Sequence, residues 1–265
     1  RGLDRLGQQY RLSLCGDGIF SCTGYLAGSD ERRIDEMNQA LRNPDVRGIF
    51  VARGGYGIMR ILEHLDAAAL KADPKVIVGF SDATALLAWA YTQAGVRGIH
   101  GPVVTQLGEC SEEELLWLTQ LLERTTPLST APWSLAAVGA PSEATITLPM
   151  MGGNLCIWSA LAGTPYALGA EKHLLFLEDV GEKPYRIDRF FTALKLSGAL
   201  NNTAGILMGD LTRCGDEGDL AWQSTNERLS SFALPGLRGL PMGHEKNYAF
   251  SFGAAVEVDF KKETL

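Results

Sequence analysis

Twice in succession near the start of the chain, a short apolar run gives way to a small-residue turn and then to helical spacing. This alternation restricts the fold more than any other feature. Gly48-Ile49-Phe50-Val51-Ala52 is bounded by charge and glycine, which predicts a buried strand over 48–52. Arg53-Gly54-Gly55-Tyr56-Gly57 turns the chain, and Ile58, Leu62 and Leu65 then predict a helix. The unit repeats at once, with a strand over 75–80, a turn, and a helix over 82–93 closed by Gly95. Ahead of both units, Ile34, Met37 and Leu41 predict a helix over 30–42, with Ser29 or Asp30 as N-cap and Asn43-Pro44 as its end. After them comes a short strand over 98–104. The capping box Ser111-Glu112-Glu113-Glu114 then precedes Leu115, Leu118 and Leu122. Strands alternating with helices predict an α/β fold built on a parallel sheet covered on both faces.

The rhythm breaks over 125–144, where proline, threonine and serine followed by Val138-Gly139-Ala140-Pro141-Ser142 read as a linker. Beyond it, strands are predicted over 144–148, 173–177, 204–208 and 255–260. A helix opens at Pro184, carries Ile187, Phe190, Phe191 and Leu194 on one face, and closes at Gly198. The chain of 265 residues is therefore expected to form a first domain over 1–125, a linker over 126–144 and a second domain over 145–265. It opens without Met, on a helix already under way, and is expected to be a piece of a longer protein. A net charge of −7 argues against nucleic acid as a partner. No apolar run reaches the roughly 18 residues of a membrane span. The five cysteines are odd in number and form no CxxC pair, which fits reduced thiols in a cytoplasm better than a zinc site or a disulfide framework.

Four features sit where chemistry is expected. Gly79-Phe80-Ser81-Asp82-Ala83 puts a serine between a strand and a helix with small residues on either side, as an exposed nucleophile needs; on this motif alone, an N-cap serine is the plainer reading. The start of that helix offers the Asp82 N–H to a developing oxyanion. The four histidines are His64, His100, His173 and His244. His244 lies in a loop behind Gly243, yet spacing does not choose among them. Glu178 and Asp179 stand at the end of a buried strand, where open α/β sheets put function, or serve the entry of the next helix. The Gly54-Gly55 turn also lies at a strand end, and one of its amides can supply a second oxyanion donor.

Taken together, Arg53-Gly54-Gly55-Tyr56-Gly57, Gly79-Phe80-Ser81-Asp82, Gly152-Gly153-Asn154-Leu155, Leu177-Glu178-Asp179 and Gly243-His244 resemble the LD-carboxypeptidases. This serine peptidase family also holds the microcin C immunity proteins. The resemblance covers about residues 20–260 and implies a Ser81–Glu178–His244 triad. It implies an oxyanion hole made by the amides of Asp82 and of Gly54 or Gly55. It also implies a flavodoxin-like parallel-sheet N-terminal domain, a smaller mainly-β C-terminal domain with helices, and a site between them. Neither a metal nor a cofactor is implied. The expected activity is release of the terminal D-alanine from murein tetrapeptides in cytoplasmic cell-wall recycling, by a homodimer acting on a small peptide, with neither membrane nor nucleic acid as partner. Arg186, Arg189 and Lys246 are candidates for the substrate carboxylate. Asn154 either shapes the site or caps the helix that holds Leu155, Ile157 and Leu161. Two alternatives are hydrolysis of aminoacyl or peptidyl nucleotides, as in microcin C immunity, and peptide binding without catalysis.

Overall fold

The structure is a computed structural model that describes residues 1–15, 18, 20–123, 133–168, 171–215 and 219–265. A short helix, α1 (Gly2–Gly7), precedes α2 (Asp30–Arg42), which begins where the sequence suggests. The Ser29 hydroxyl accepts from the Arg32 amide at 3.3 Å, and Asp30 and Glu31 face the positive end of the helix dipole. The strand β1 (Gly48–Phe50) follows.

The helix expected through Ile58, Leu62 and Leu65 is replaced by two 3-10 turns, Ile58–Arg60 and Leu62–His64, and a separate helix α3 (Ala67–Ala72). The reason lies in other segments. From α2, the Asn38 side chain donates to the His64 carbonyl at 2.9 Å and accepts from the Asp66 amide at 2.8 Å. Asp66 itself caps α3 by accepting from Ala69 N at 2.9 Å. These bonds satisfy backbone groups that a continuous helix would have used.

Next come β2 (Val76–Gly79), a 3-10 turn over Ser81–Ala83, α4 (Thr84–Ala94), β3 (Ile99–His100), α5 (Val104–Leu107) and α6 (Glu112–Glu123). The strand expected over 98–104 is short because Val104 already starts α5. β1, β2 and β3 are parallel, with Ile49 opposite Ile77 and Val78 opposite Ile99. In α4 every residue from Thr84 to Ala90 is buried, as expected of a helix apolar on all sides. It packs against β2 and β3 and also against β5 (Thr145–Asn154) and α7 (Leu155–Leu161) of the second half. Gly95 ends it in the left-handed conformation, at φ 69°.

Part of the expected linker is structured. Residues 126–132 lie outside the described residues, but β4 (Ala136–Gly139) is an edge strand of the second sheet, antiparallel to β8 (Pro235–Arg238). That sheet also takes β6 (His173–Val180), β7 (Thr203–Thr212) and β10 (Ala254–Asp259), in the order β10-β5-β6-β7-β8-β4. The four inner strands are parallel and both edges are antiparallel. β6 is buried from His173 to Asp179, the pattern of a strand covered on both faces. The helices α8 (Pro184–Leu196) and α9 (Leu220–Ser231) pack against each other, and α8 also packs on α7. The α/β class is as expected, and among the described residues the second sheet is the wider, with six strands against four.

The fourth strand of the first sheet comes from the far end of the chain. β9 (Phe250–Ser251) pairs antiparallel with β3, His100 facing Phe250. The expected boundary at 126–144 therefore does not separate the sheets: a segment from the second half closes the open edge of β3, whose backbone groups need partners. Trp117 of α6 fixes that segment by donating from Nε1 to the Ala249 carbonyl at 2.7 Å. Among the described residues, no helix is long and apolar enough to cross a membrane.

Candidate active site

Ser81 lies at the carboxyl end of β2 with φ 61°, a left-handed conformation that L residues other than glycine adopt at a cost. Its surroundings leave little choice. A side chain at Gly79 would meet the Ala83 Cβ at 2.8 Å, and one at Gly54 would meet the Ser81 Cβ at 3.1 Å and Oγ at 3.2 Å. Small residues are thus needed on both sides of the serine, as at a nucleophile turn. The Asp82 carboxylate, buried and held above its ordinary pKa by that burial, accepts from Ile58 N at 2.9 Å. The 54–58 loop is therefore tied at Ile58 to the start of the Ser81 helix and passes close to Ser81 at Gly54. The N–H groups of Gly54, Gly55 and Asp82 donate to no turn or loop carbonyl among the described residues.

Glu178 is fully buried near the carboxyl end of β6, and its Oε2 lies 2.7 Å from His244 Nδ1. Close packing shapes this pair. A Cβ at Gly243 would stand 3.2 Å from Glu178 Oε2, and one at Gly209 would stand 3.1 Å from the Glu178 Cβ. The His244 ring packs against Phe80, the residue before Ser81, with centroids 4.8 Å apart. Elements of the first half anchor the His244 loop. Glu114 closes its capping box through Oε2, accepting from Ser111 N at 2.9 Å, and holds Asn247 N through Oε1 at 2.9 Å. Gln106 of α5 accepts from Asn247 Nδ2 at 3.0 Å and donates to the Gly243 carbonyl at 3.4 Å. Ser81 and His244 form no hydrogen bond with each other among the described residues; the His244 ring lies against Phe80, the residue before Ser81.

The other histidines stand apart from the dyad. His64 is exposed beside Glu63. His173 is buried and faces the Glu171 carbonyl and the Thr203 hydroxyl. His100 is buried among Phe80, Phe176 and Phe250, stacked on Phe250 at 4.9 Å. Neither of its ring nitrogens has a hydrogen-bond partner among the described residues. Burial, and secondarily the charge of His244, hold its pKa down to about 3, so the ring is neutral.

Asn154, opposite Glu178 in the sheet register, caps α7 by accepting from Ile157 N at 3.1 Å. Its amide donates to Asp179 Oδ1 at 3.0 Å and reaches Glu178 Oε1 at 3.4 Å. Arg186 is ion-paired with Glu182, Nη2 donating at 3.3 Å, and Arg189 lies over the Tyr185 ring. Lys246 is exposed near Asp210, whose pKa burial raises to about 6 against the opposing pull of that lysine. Sequence reasoning missed Asp210. It stands at the end of β7 as Glu178 does at the end of β6, so the same strand-end logic would have found it. Among the described residues, no group of three or more His, Cys, Asp or Glu side chains is placed to hold a metal ion.

Such an arrangement suits proton transfer through an imidazole whose Nδ1 is fixed by a carboxylate and whose Nε2 remains free to accept. A model of the LD-carboxypeptidase N-terminal domain matches residues 1–101, and one of the LD-carboxypeptidase C-terminal domain matches residues 149–258. The chain is 32% identical to a Bacillus subtilis protein named as a probable murein peptide carboxypeptidase, over 99% of this chain and 83% of that one. It is 31% identical to the murein tetrapeptide carboxypeptidase of Pseudomonas aeruginosa, over 96% of this chain and 84% of the relative. The fold also matches that of the immunity protein MccF solved with glutamyl sulfamoyl guanosine: TM-score 0.84, 24% identity, 99% of this chain and 88% of the other.

Proposed function

The chain belongs to the LD-carboxypeptidase family of peptide hydrolases, and from that premise we propose that it is a serine carboxypeptidase releasing the C-terminal D-alanine of murein tetrapeptides. The reading rests on one observation above all. The Glu178–His244 pair, 2.7 Å across, abuts the turn that strains Ser81. In this mechanism His244 Nε2 takes the Ser81 proton as Oγ attacks the carbonyl carbon that precedes the D-alanine. Glu178 stabilises the resulting imidazolium. The oxyanion is met by the amides of Asp82 and of Gly54 or Gly55. Collapse breaks the C–N bond, and His244 returns the proton to the departing amine. Water, activated by the same imidazole, then cleaves the acyl-enzyme and regenerates Ser81.

Lys246 is the better candidate of the notable cations for the substrate carboxylate, because Arg186 is already paired with Glu182. The side chain of Asn154 is engaged by protein groups, so its contribution is to shape the site. Five free thiols fit a reducing cytoplasm. The working form is a homodimer, to be checked by light scattering in solution.

The deciding experiment follows D-alanine release from murein tetrapeptides carrying diaminopimelate or lysine, beside hydrolysis of an aminoacyl sulfamoyl-adenosine. Release from a tetrapeptide, lost in a folded Ser81→Ala variant, is the expected result. Turnover of the nucleotide conjugate alone would make the protein an immunity-type hydrolase, and binding without turnover of either would remove the enzyme reading.

A further inference from the structure

Ser81 and Glu178 stand on different sheets, so their separation depends on whatever joins those sheets beside the site. A chain of buried polar groups runs between them. Thr84, the first residue of α4 and three places after Ser81, is fully buried. Its Oγ1 accepts from the backbone N–H of Asn154 at 3.0 Å. Asn154 then passes the link on through its amide, to Asp179 at 3.0 Å and to Glu178 at 3.4 Å. Asp179, buried, is held by two backbone donors, Val180 N at 2.8 Å on Oδ1 and Cys156 N at 2.9 Å on Oδ2.

The backbone around this chain is in close contact on both sides. A Cβ at Gly153 would lie 2.4 Å from Thr84 Oγ1, and one at Gly152 would lie 1.9 Å from the Phe176 carbonyl oxygen. The end of β5 is therefore wedged between the start of the Ser81 helix and the strand of Glu178. One further detail sets Thr84 apart from an ordinary helix-start hydroxyl. α4 begins after Ala83 with no side-chain cap, and the nearby hydroxyl is turned to the other sheet instead.

We propose that Thr84 is a positioning residue: through Asn154 its hydroxyl sets the distance between Ser81 and the Glu178–His244 pair. The proposal rests on the catalytic roles given to those three residues above. Ser81 and His244 share no hydrogen bond among the described residues, so no direct contact fixes their separation, and small errors in it act on the chemical step. A misplacement of about 1 Å can lower a rate about 100-fold. A buried N–H that loses its acceptor seeks another, and the end of β5 moves with it.

Thr84→Val keeps the shape and removes the acceptor, whereas Thr84→Ser keeps the acceptor. With a murein tetrapeptide, Thr84→Val should lower kcat by about 10- to 100-fold with KM within about twofold, and Thr84→Ser should recover most of the rate. Labelling of Ser81 by a fluorophosphonate, which needs no knowledge of the substrate, should slow in parallel. The proposal is overturned if Thr84→Val leaves kcat and labelling intact, if the serine variant loses as much as the valine variant, or if the loss falls on KM alone. Should Thr84→Val fail to fold, Thr84→Ala is judged by the same criteria. A wild-type protein that labels normally but spares the tetrapeptide would refute the substrate and leave the brace to the labelling rates. One that neither labels nor turns over would refute the catalytic reading and the brace with it.

Discussion

Glu178 Oε2 lies 2.7 Å from His244 Nδ1, and the carboxylate is fully buried while the imidazole keeps an exposed edge. With Glu178 ionised, that hydrogen bond takes the Nδ1 proton and leaves Nε2 to act as the base in the mechanism proposed above. Glu178→Gln keeps the shape and removes the charge that stabilises the imidazolium. It should lower kcat about a thousandfold or more with the fold retained, measured by D-alanine release beside circular dichroism. A loss below tenfold would remove Glu178 from the mechanism.

Gly54→Ala tests the loop that faces the nucleophile. The added methyl would sit 3.1 Å from the Ser81 Cβ and 3.2 Å from its Oγ, tighter than ordinary packing allows. Ser81 and the neighbouring amides must shift together, so kcat should fall by about 10-fold or more. The urea midpoint should move little, since Gly54 is only half-buried and has no positive φ. Unchanged turnover would mean that the loop takes no part in the site.

Much of this site was legible because its residues stand at the ends of strongly patterned elements. Gly79-Phe80-Ser81 follows an apolar strand and Glu178 ends another, so topology alone brings both to carboxyl ends. What escaped notice depends on long-range contacts. Asn38 interrupts the helix expected after Ile58 from a position 26 residues before His64. β9 is two residues long, too short for any periodicity, and joins the first sheet because β3 has an unpaired edge. β4 is a tetrapeptide after a proline-rich stretch, paired with Pro235–Arg238 rather than with a neighbour in sequence. Thr84 reads only as a helix residue until Asn154, 70 residues on, is seen to donate to it.

His100 should make the protein acid-sensitive. Below about pH 6.5 the unfolded chain takes up a proton there, which the folded chain refuses until about pH 3. Stability is therefore lost as the pH falls from 6.5 towards 3, by about 1.4 kcal/mol per pH unit. Between pH 7 and pH 5 the loss from this one residue amounts to about 2 kcal/mol. His100→Phe keeps the aromatic packing and removes the titration. Urea unfolding at the two pH values should give a drop smaller by about that amount in the variant, whatever its stability at pH 7. Equal drops in both proteins would show that His100 takes up its proton in the folded state as readily as in the unfolded one.

Ser81 offers the sharpest contrast between stability and function. At φ 61° it occupies a backbone region that costs an L residue about 1 kcal/mol and costs glycine nothing. Ser81→Ala and Ser81→Gly should both abolish turnover, since each lacks the nucleophile. They should differ in stability: alanine keeps the Cβ and its strain, whereas glycine relieves it. Chemical denaturation should find the glycine variant more stable than the alanine variant by about 0.5–1 kcal/mol, despite the greater freedom that glycine gives the unfolded chain. Inside a helix, where φ is negative, the order would be reversed, because the extra freedom of glycine would then go unopposed. A glycine variant less stable than alanine would therefore mean that the turn holds no strain, and Ser81 would lose the backbone signature of a nucleophile turn.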